Sequence, residues 1–466
     1  MGDELARLAV MPGWLGVLDD PARVETALHN VVPGLRGAKV GNVRLRNDAW
    51  TARCRLDLAG AERSVYYSAT IVPPGQDQPA ATPPPSALSE APERGGWVPG
   101  LRLALVPEPQ AEAKLPAMAM LTDPERARAF LEEVIRAGSP GYRDLRILSC
   151  APRVMRYSPG SRCTILYRLE LPADGHAAGY PDVVIAKTYH RQDKGRTAWD
   201  GMHGLWQSPL RTSGVVAIAE PLAWVPELNV LVQGPIRQER TLKDLLLEML
   251  ADSERAGREE LRGYVAKAAV GLAEMHRSGV PSDRRRGFAD ELAEVREVLG
   301  RITAQLPDLA GAADPVLDAV ERLADRVPAD TPGPAHRSFR PAQVLLHQGR
   351  IGFIDFDGFC HAEPALDVAL FRATVRDLGM ATLPAAASPE AQRALLADLD
   401  ELCEEFLAAY QALAPVSRER VAVWEALDLL TNVLHAWTKA KPTRLTHAVA
   451  LLRDHTARLE ALTAAL

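Results

Sequence analysis

Asp355 stands between Ile354 and Phe356, a setting that would bury its carboxylate among apolar neighbours. An ionised carboxylate is too costly to bury uncompensated, so the tripeptide points to a bound cation. Asp357 follows and precedes Gly358; it reads equally as a second cation ligand or as a turn residue. Far upstream, Lys187 closes the apolar run Val184-Ile185-Ala186, as either a surface lysine on an edge strand or a buried cation facing an anionic ligand. A strand lysine together with carboxylates that hold magnesium is what phosphoryl transfer from a nucleoside triphosphate demands. That reaction is catalysed mainly by positioning and by neutralising charge on the phosphates.

The elements that must position these residues come in two kinds. Ala151–Tyr157, Thr164–Leu171 and Asp182–Tyr189 alternate apolar and polar residues and predict an antiparallel meander that carries Lys187 on its third strand. An earlier set, Val43–Arg46, Thr51–Leu58 and Ser64–Ile71, repeats the same order at similar spacing. It has Tyr67-Ser68-Ala69 where the later set has Ile185-Ala186-Lys187, so this degenerate copy is expected to bind no nucleotide. A short helix over residues 21–31 precedes it and a further strand is expected around 97–107. Between them, residues 73–96 hold seven prolines without periodicity and predict a mobile loop. Asp123 as N-cap and Pro124 at the first position start a helix to about Ala137. From Thr241 the apolar spacing changes to three and four, predicting helices through 327 and again from Ala365 to the end. Strands first and helices afterwards is an α+β arrangement.

At 466 residues the chain exceeds one core, so two or three domains are expected. With 54 Lys and Arg against 60 Asp and Glu, and no long basic run, nucleic acid is not the expected partner. Five scattered cysteines without a C-x-x-C pair argue against a disulfide framework or a zinc knuckle. Acids at Asp3 and Glu4 do not suit a signal peptide, and no apolar run reaches the length of a membrane span. The expectation is a cytoplasmic protein with no membrane partner.

Upstream of Asp355 runs His336-Arg337-Ser338-Phe339-Arg340-Pro341-Ala342-Gln343-Val344-Leu345-Leu346. Its first two letters, its proline and its length match the catalytic loop H-R-D-x-x-x-x-N. Gly349–Asp357 follows as a hairpin into an aspartate, and Glu363-Pro364-Ala365-Leu366-Asp367 as an Asp-Pro-Ala-x-Asp-type helix start. On these linked motifs, residues 140–466 resemble the aminoglycoside phosphotransferase-like branch of the protein-kinase-like fold. The resemblance implies an α+β, two-lobed architecture: a β-rich small lobe over 139–235 and a helical large lobe over 236–466. Ahead of them lies an extra β-rich domain over 1–138.

It also implies ATP and Mg²⁺ as cofactors, with Asp355 and Gln343 as metal ligands and Lys187 on the phosphates. Arg162, after Tyr157-Ser158-Pro159-Gly160-Ser161, would cover the phosphates, and Gln233-Gly234-Pro235 would be the hinge that meets adenine. No glutamate occurs between 188 and 219, so Asp200 is the nearest acid at a plausible spacing to hold Lys187. Asp367 would cap its helix and bond the backbone of the catalytic loop, and His336 would organise that loop rather than carry a proton. Arg340 matches the basic position that stabilises the transferring phosphate. Ser338 departs from the pattern: a neutral hydroxyl replaces the catalytic aspartate, a loss that typically costs about 10² to 10⁴ in rate. Asp357 is the carboxylate nearest in sequence that could take over.

Two functions follow from these residues. One is a kinase acting on a hydroxyl of a small molecule, or of a peptide Ser/Thr as in lanthipeptide-type biosynthesis. The other is a pseudokinase that binds nucleotide or a protein partner without transfer, the extra N-terminal sheet presenting the partner surface. Intact Lys187 and Asp355 favour the first, and Ser338 with the missing helix glutamate favours the second. A repeat protein without nucleotide would require both Lys187 and Asp355 to be coincidences.

Overall fold

The computed structural model describes residues 2–46, 49–59, 64–76, 95–107, 114–158, 160–251, 257–384 and 387–465. Within these, two five-stranded antiparallel sheets precede a helical lobe. The first sheet comprises β1 (Leu35–Arg46), β2 (Ala49–Leu58), β3 (Val65–Ile71), β4 (Gly96–Val98) and β5 (Leu103–Pro107). Its spatial order is β1-β2-β3-β5-β4. β1 begins earlier than the alternation predicts, because Gly37, Gly41 and Asn42 resemble a turn but form irregular register and a bulge. Asn42 takes a left-handed φ of 55° there. The strand expected around 97–107 is a hairpin, divided by a turn at Pro99–Leu101. Most of the expected proline-rich loop, residues 77–94, lies outside the described residues.

The second sheet comprises β6 (Ser149–Ser158), β7 (Arg162–Glu170), β8 (Val183–Tyr189), β10 (Pro221–Val225) and β11 (Val230–Gln233); β9 (Ala217–Ile218) joins another sheet. Its order, β6-β7-β8-β11-β10, repeats first-second-third-fifth-fourth, with every neighbour antiparallel as in the first sheet. A helix also precedes each: α2 (Pro21–His29), after the short α1 (Gly2–Leu8), and α3 (Pro124–Gly138). Asp20 and Asp123 cap α2 and α3 through their carboxylates, and a proline fills the first position of each.

Phe130, Leu131 and Ile135 of α3 share a core with Ile165, Tyr167 and Val184. The helix expected in the first domain therefore packs on the second sheet, since its apolar stripe has that sheet's inner face to cover. The first sheet buries its inner face elsewhere. Trp50, Cys54, Tyr67 and Ala69 join one core with the helical lobe. Two indoles fasten this junction: Trp50 donates to the Trp437 carbonyl at 3.2 Å, and Trp437 to the Leu8 carbonyl at 3.0 Å.

The helical lobe contains α5 (Leu242–Ala251), α6 (Arg258–His276), α7 (Phe288–Gln305), α8 (Asp314–Arg326), α9 (Pro364–Met380), α10 (Pro389–Gln411), α11 (Arg418–Thr438) and α12 (Pro442–Ala465); α4 (Gln192–Gln207) belongs between β8 and β9. The 290–327 stretch is two helices, separated where Leu306-Pro307 breaks the pattern. Short strands interrupt the helices at the stretch 344–353, with β12 (Val344–His347) antiparallel to β13 (Arg350–Phe353). Among the described residues no helix is long and apolar enough to cross a membrane.

Candidate active site

The catalytic loop is built on Asp367, which is fully buried at the first turn of α9. Its carboxylate accepts from the backbone N–H of His336 at 2.6 Å and of Phe339 at 3.4 Å. His276 Nε2 adds a contact at 3.2 Å, and the other ring nitrogen of His276 meets Tyr410 at 2.8 Å. Buried carboxylates persist only when bonded in this way. His336 Nε2 lies 3.0 Å from the Ile354 carbonyl, which can only accept, so that nitrogen carries the proton. Nδ1 then accepts from the Ser338 hydroxyl at 3.0 Å. Burial lowers the His336 pKa and keeps the ring neutral. Arg337, in a left-handed conformation at φ 62°, clamps the loop to α7 through Glu291 at 2.7 Å and Glu294 at 3.0 Å.

Asp355 lies two residues beyond the end of β13 with a φ of 74°, a left-handed conformation that a non-glycine residue holds only when its surroundings impose it. From there its carboxylate meets Lys187 Nζ at 3.9 Å and Arg162 Nη1 at 3.7 Å. Burial works to raise its pKa, but Lys187 and Arg162 outweigh burial and hold it below the usual carboxylate range. Asp357 accepts from Arg162 at 2.8 Å and from the Tyr189 hydroxyl at 3.0 Å. Burial raises its pKa, against Lys187 and with the help of Asp355, so the two aspartates are pushed apart. Gln343 follows the loop's short turn, and its side-chain oxygen is buried without a hydrogen-bond partner. An orphaned acceptor near a carboxylate-bearing turn fits a magnesium ion, for which Asp355 and Gln343 could supply oxygen ligands.

The structure thus brings Lys187, Arg162, Asp355 and Asp357 into one cleft between the sheet and the helical lobe. Gln233 ends β11, buried, and lines the small hollow behind Lys187 and Asp355. Asp200 is not brought in. Its side chain is 57% exposed and pairs with Arg196 one turn back at 3.4 Å. α4 faces Lys187 with Ala198 and Met202, and residue 200 lies about 200° round the helix from 198. Gly201 lets α4 approach this closely: a Cβ there would meet the Phe359 ring at 2.5 Å.

Beyond Arg340 lies a cavity of about 250 Å³ between α7, α9 and α11, lined in part by Leu370, Trp424, Asp428, Asn432 and His435. Burial raises the Asp428 pKa well above its ordinary value, with Arg340 the cation that opposes this, and its Oδ2 has no hydrogen-bond partner. Sequence reasoning missed Asp428, although an acid inside the apolar run Ala426-Leu427-Asp428-Leu429-Leu430 is a signal for a role.

Residues 210–402 match the model of the phosphotransferase enzyme family, APH. The matched span runs from the last strands of the second sheet into α10 of the helical lobe. Among curated proteins none matches the chain. Solved structures that resemble it include a glucosamine kinase complexed with glucosamine, ADP and inorganic phosphate (14% identity, 95% of this chain and 99% of that one, TM-score 0.48). A ternary streptomycin-ATP-APH(2")-IIa complex matches at 14% identity over 65% of this chain and 90% of that one, with a TM-score of 0.43. A choline/ethanolamine kinase family protein from Mesorhizobium loti matches at 14% over 66% and 87%, with a TM-score of 0.41. The chain itself has a β-rich lobe and a helical lobe, with an additional β-rich region in front.

Proposed function

We propose that the protein transfers the γ-phosphoryl group of ATP to a hydroxyl of a compact small molecule. The observation that carries this reading is the meeting of Lys187, Arg162 and Asp355 across the cleft, beside an unpartnered Gln343 oxygen. Magnesium bound by Asp355 and Gln343 would neutralise phosphate charge. Lys187 and Arg162 hold the phosphate oxygens, while Gln233 and its neighbours form the hinge edge against the base. A cavity of about 250 Å³ beside Arg340 suits a small acceptor better than an extended peptide.

In the transfer, the acceptor oxygen bonds to the γ-phosphorus as the bridging P–O bond breaks, and ADP leaves with that electron pair. The hydroxyl proton passes to the ionised form of Asp428, a carboxylate that lines this cavity opposite Arg340 with its Oδ2 free of hydrogen-bond partners. Ser338 is committed to His336, and Asp357, the carboxylate first expected to take over, is occupied by Arg162 and Tyr189. Because the transition state is loose, proton removal comes late and an altered base is tolerated better than lost metal ligands.

A second reading, nucleotide binding without transfer, is favoured by one observation: Ala198 and Met202 stand on α4 where an acid would hold Lys187. Nucleotide titrations with and without Mg²⁺, followed by ADP release against a panel of hydroxyl compounds, separate the two. The transferase reading expects Mg²⁺-dependent binding and acceptor-dependent ADP release, both lost in Asp355→Ala. Binding without any release selects the second, and ATP binding indifferent to Mg²⁺ and to Lys187→Met rejects both.

A further inference from the structure

Three cations converge where the first sheet meets the end of α11. The Trp50 indole bonded to the Trp437 carbonyl seats the β1–β2 hairpin on the last turn of that helix. Arg44 lies across from Thr51, the residue after Trp50, and Lys439 follows Trp437 by two positions. Arg340 comes from the catalytic loop and lines the acceptor cavity together with His435. All three cationic side chains are half-buried.

Their charges are not matched. Arg44 donates to its neighbour's carbonyl, that of Val43, at 2.6 Å. Among the described residues Lys439 has no side-chain hydrogen bond or ion pair, and Arg340 is faced by Asp428 without a salt bridge. The other cations nearby are satisfied: Arg444 by Asp377 at 2.8 Å, and Arg337 and Arg286 by Glu291 and Glu294. Burial, then Arg444, Arg44 and Arg340, push Lys439 down to about 8. Burial, then Lys439 and Arg340, push His435 down to about 3. The C-terminal end of a helix favours a lysine, which accounts for Lys439 but not for arginines delivered from a sheet and a loop. Arg44 also lines a second cavity of about 230 Å³ with Arg46 and with Ser158, the last residue of β6 before the Arg162 turn. Half-buried cations of one sign focus a field that an anion would satisfy.

We propose that Arg44, Arg340 and Lys439 form an anion-binding subsite beside the acceptor cavity, joined to it through Arg340, so that the acceptor carries a carboxylate or phosphate besides its reacting hydroxyl. The acceptor half of this inference rests on the phosphotransferase reading; the anion site does not. The test is calorimetric titration of the full chain, saturated with Mg-ADP so that the nucleotide site is filled. The probes are matched sets: glycerol against glycerol 3-phosphate, and glucose against glucuronate and glucose 6-phosphate. Anionic members are expected to bind about tenfold or more tighter than neutral ones, and the carboxylate and phosphate arms identify which anion is read. Arg44→Met and Lys439→Met should each remove that preference while Lys439→Arg retains it. Anion affinity should fall as pH rises through about 8, where Lys439, surrounded by Arg444, Arg44, Arg340, Asp377 and His435, loses its proton. Equal binding of neutral and anionic members overturns the proposal. So does a loss of ATP affinity, rather than anion affinity, in the two methionine variants. Anion binding without transfer to any probe keeps the subsite and rejects the transferase reading. Transfer to a neutral acceptor, indifferent to Lys439→Met, does the reverse.

Discussion

The two sheets share strand order, strand directions and a leading helix, yet one meets the catalytic cleft and the other does not. Lys187 pairs with Thr164 and Leu231 on its flanking strands; Ala69 has the same place between Ala52 and Leu105. Lys187 points its ammonium at Asp355, whereas Ala69 is fully buried in the core shared with the helical lobe. A topology therefore does not confer a function. What separates the sheets is which face was given a charge and which was given to packing.

The comparison breaks hardest at the cleft. Asp355→Ala is expected to abolish transfer, and Lys187→Met to lower it about 10²- to 10³-fold, measured as ADP release. Placing the same charge in the other sheet, Ala69→Lys, should gain no nucleotide binding and destabilise the fold by several kcal/mol, since the ammonium would lie buried and unpaired. Urea unfolding and nucleotide titration check both halves; nucleotide binding by an Ala69→Lys, Lys187→Met double variant would show a latent second site. Trp50→Ala, which empties the junction of the first sheet with α11, should cost about 3 to 5 kcal/mol in the same unfolding measurement.

A smaller effect sharpens the electrostatics. Lys187 and Arg162 depress the Asp355 pKa, so the ion-paired cleft is complete above the ordinary carboxylate range and is lost as pH falls through the depressed value. Arg162→Met should move the acid limb of the pH-rate profile to higher pH; an unmoved limb would remove Arg162 from the site. The smallest effect is expected at Asp200→Asn, where an exposed i,i+4 pair contributes at most about 0.5 kcal/mol and nucleotide affinity should not change.

Much of this was legible in the sequence. Strand alternation located β2, β3, β7 and β8, and the spacing from His336 to Asp367 located the catalytic loop and its buried brace, because each depends on local pattern. Asp200 was misplaced because nearness in sequence ignores helical phase: Ala198 and Met202 face the lysine and residue 200 faces water. Arg44 and Lys439 were invisible for another reason. They come together only when the β1–β2 hairpin docks on a helix nearly 400 residues later in the chain, and no local periodicity encodes that.

The two indole bonds at that docking site have a kinetic consequence. They attach the first sheet and α1 to the helical lobe, while the second sheet and α3 keep a core of their own. Any rotation that seats a nucleotide under the second sheet therefore carries Ser158 towards or away from Arg44, on a surface that does not turn with it. Nucleotide seating and acceptor entry then share one coordinate. In initial-rate experiments this should appear as a compulsory order of addition, with ATP first and intersecting double-reciprocal lines, rather than as two independent encounters.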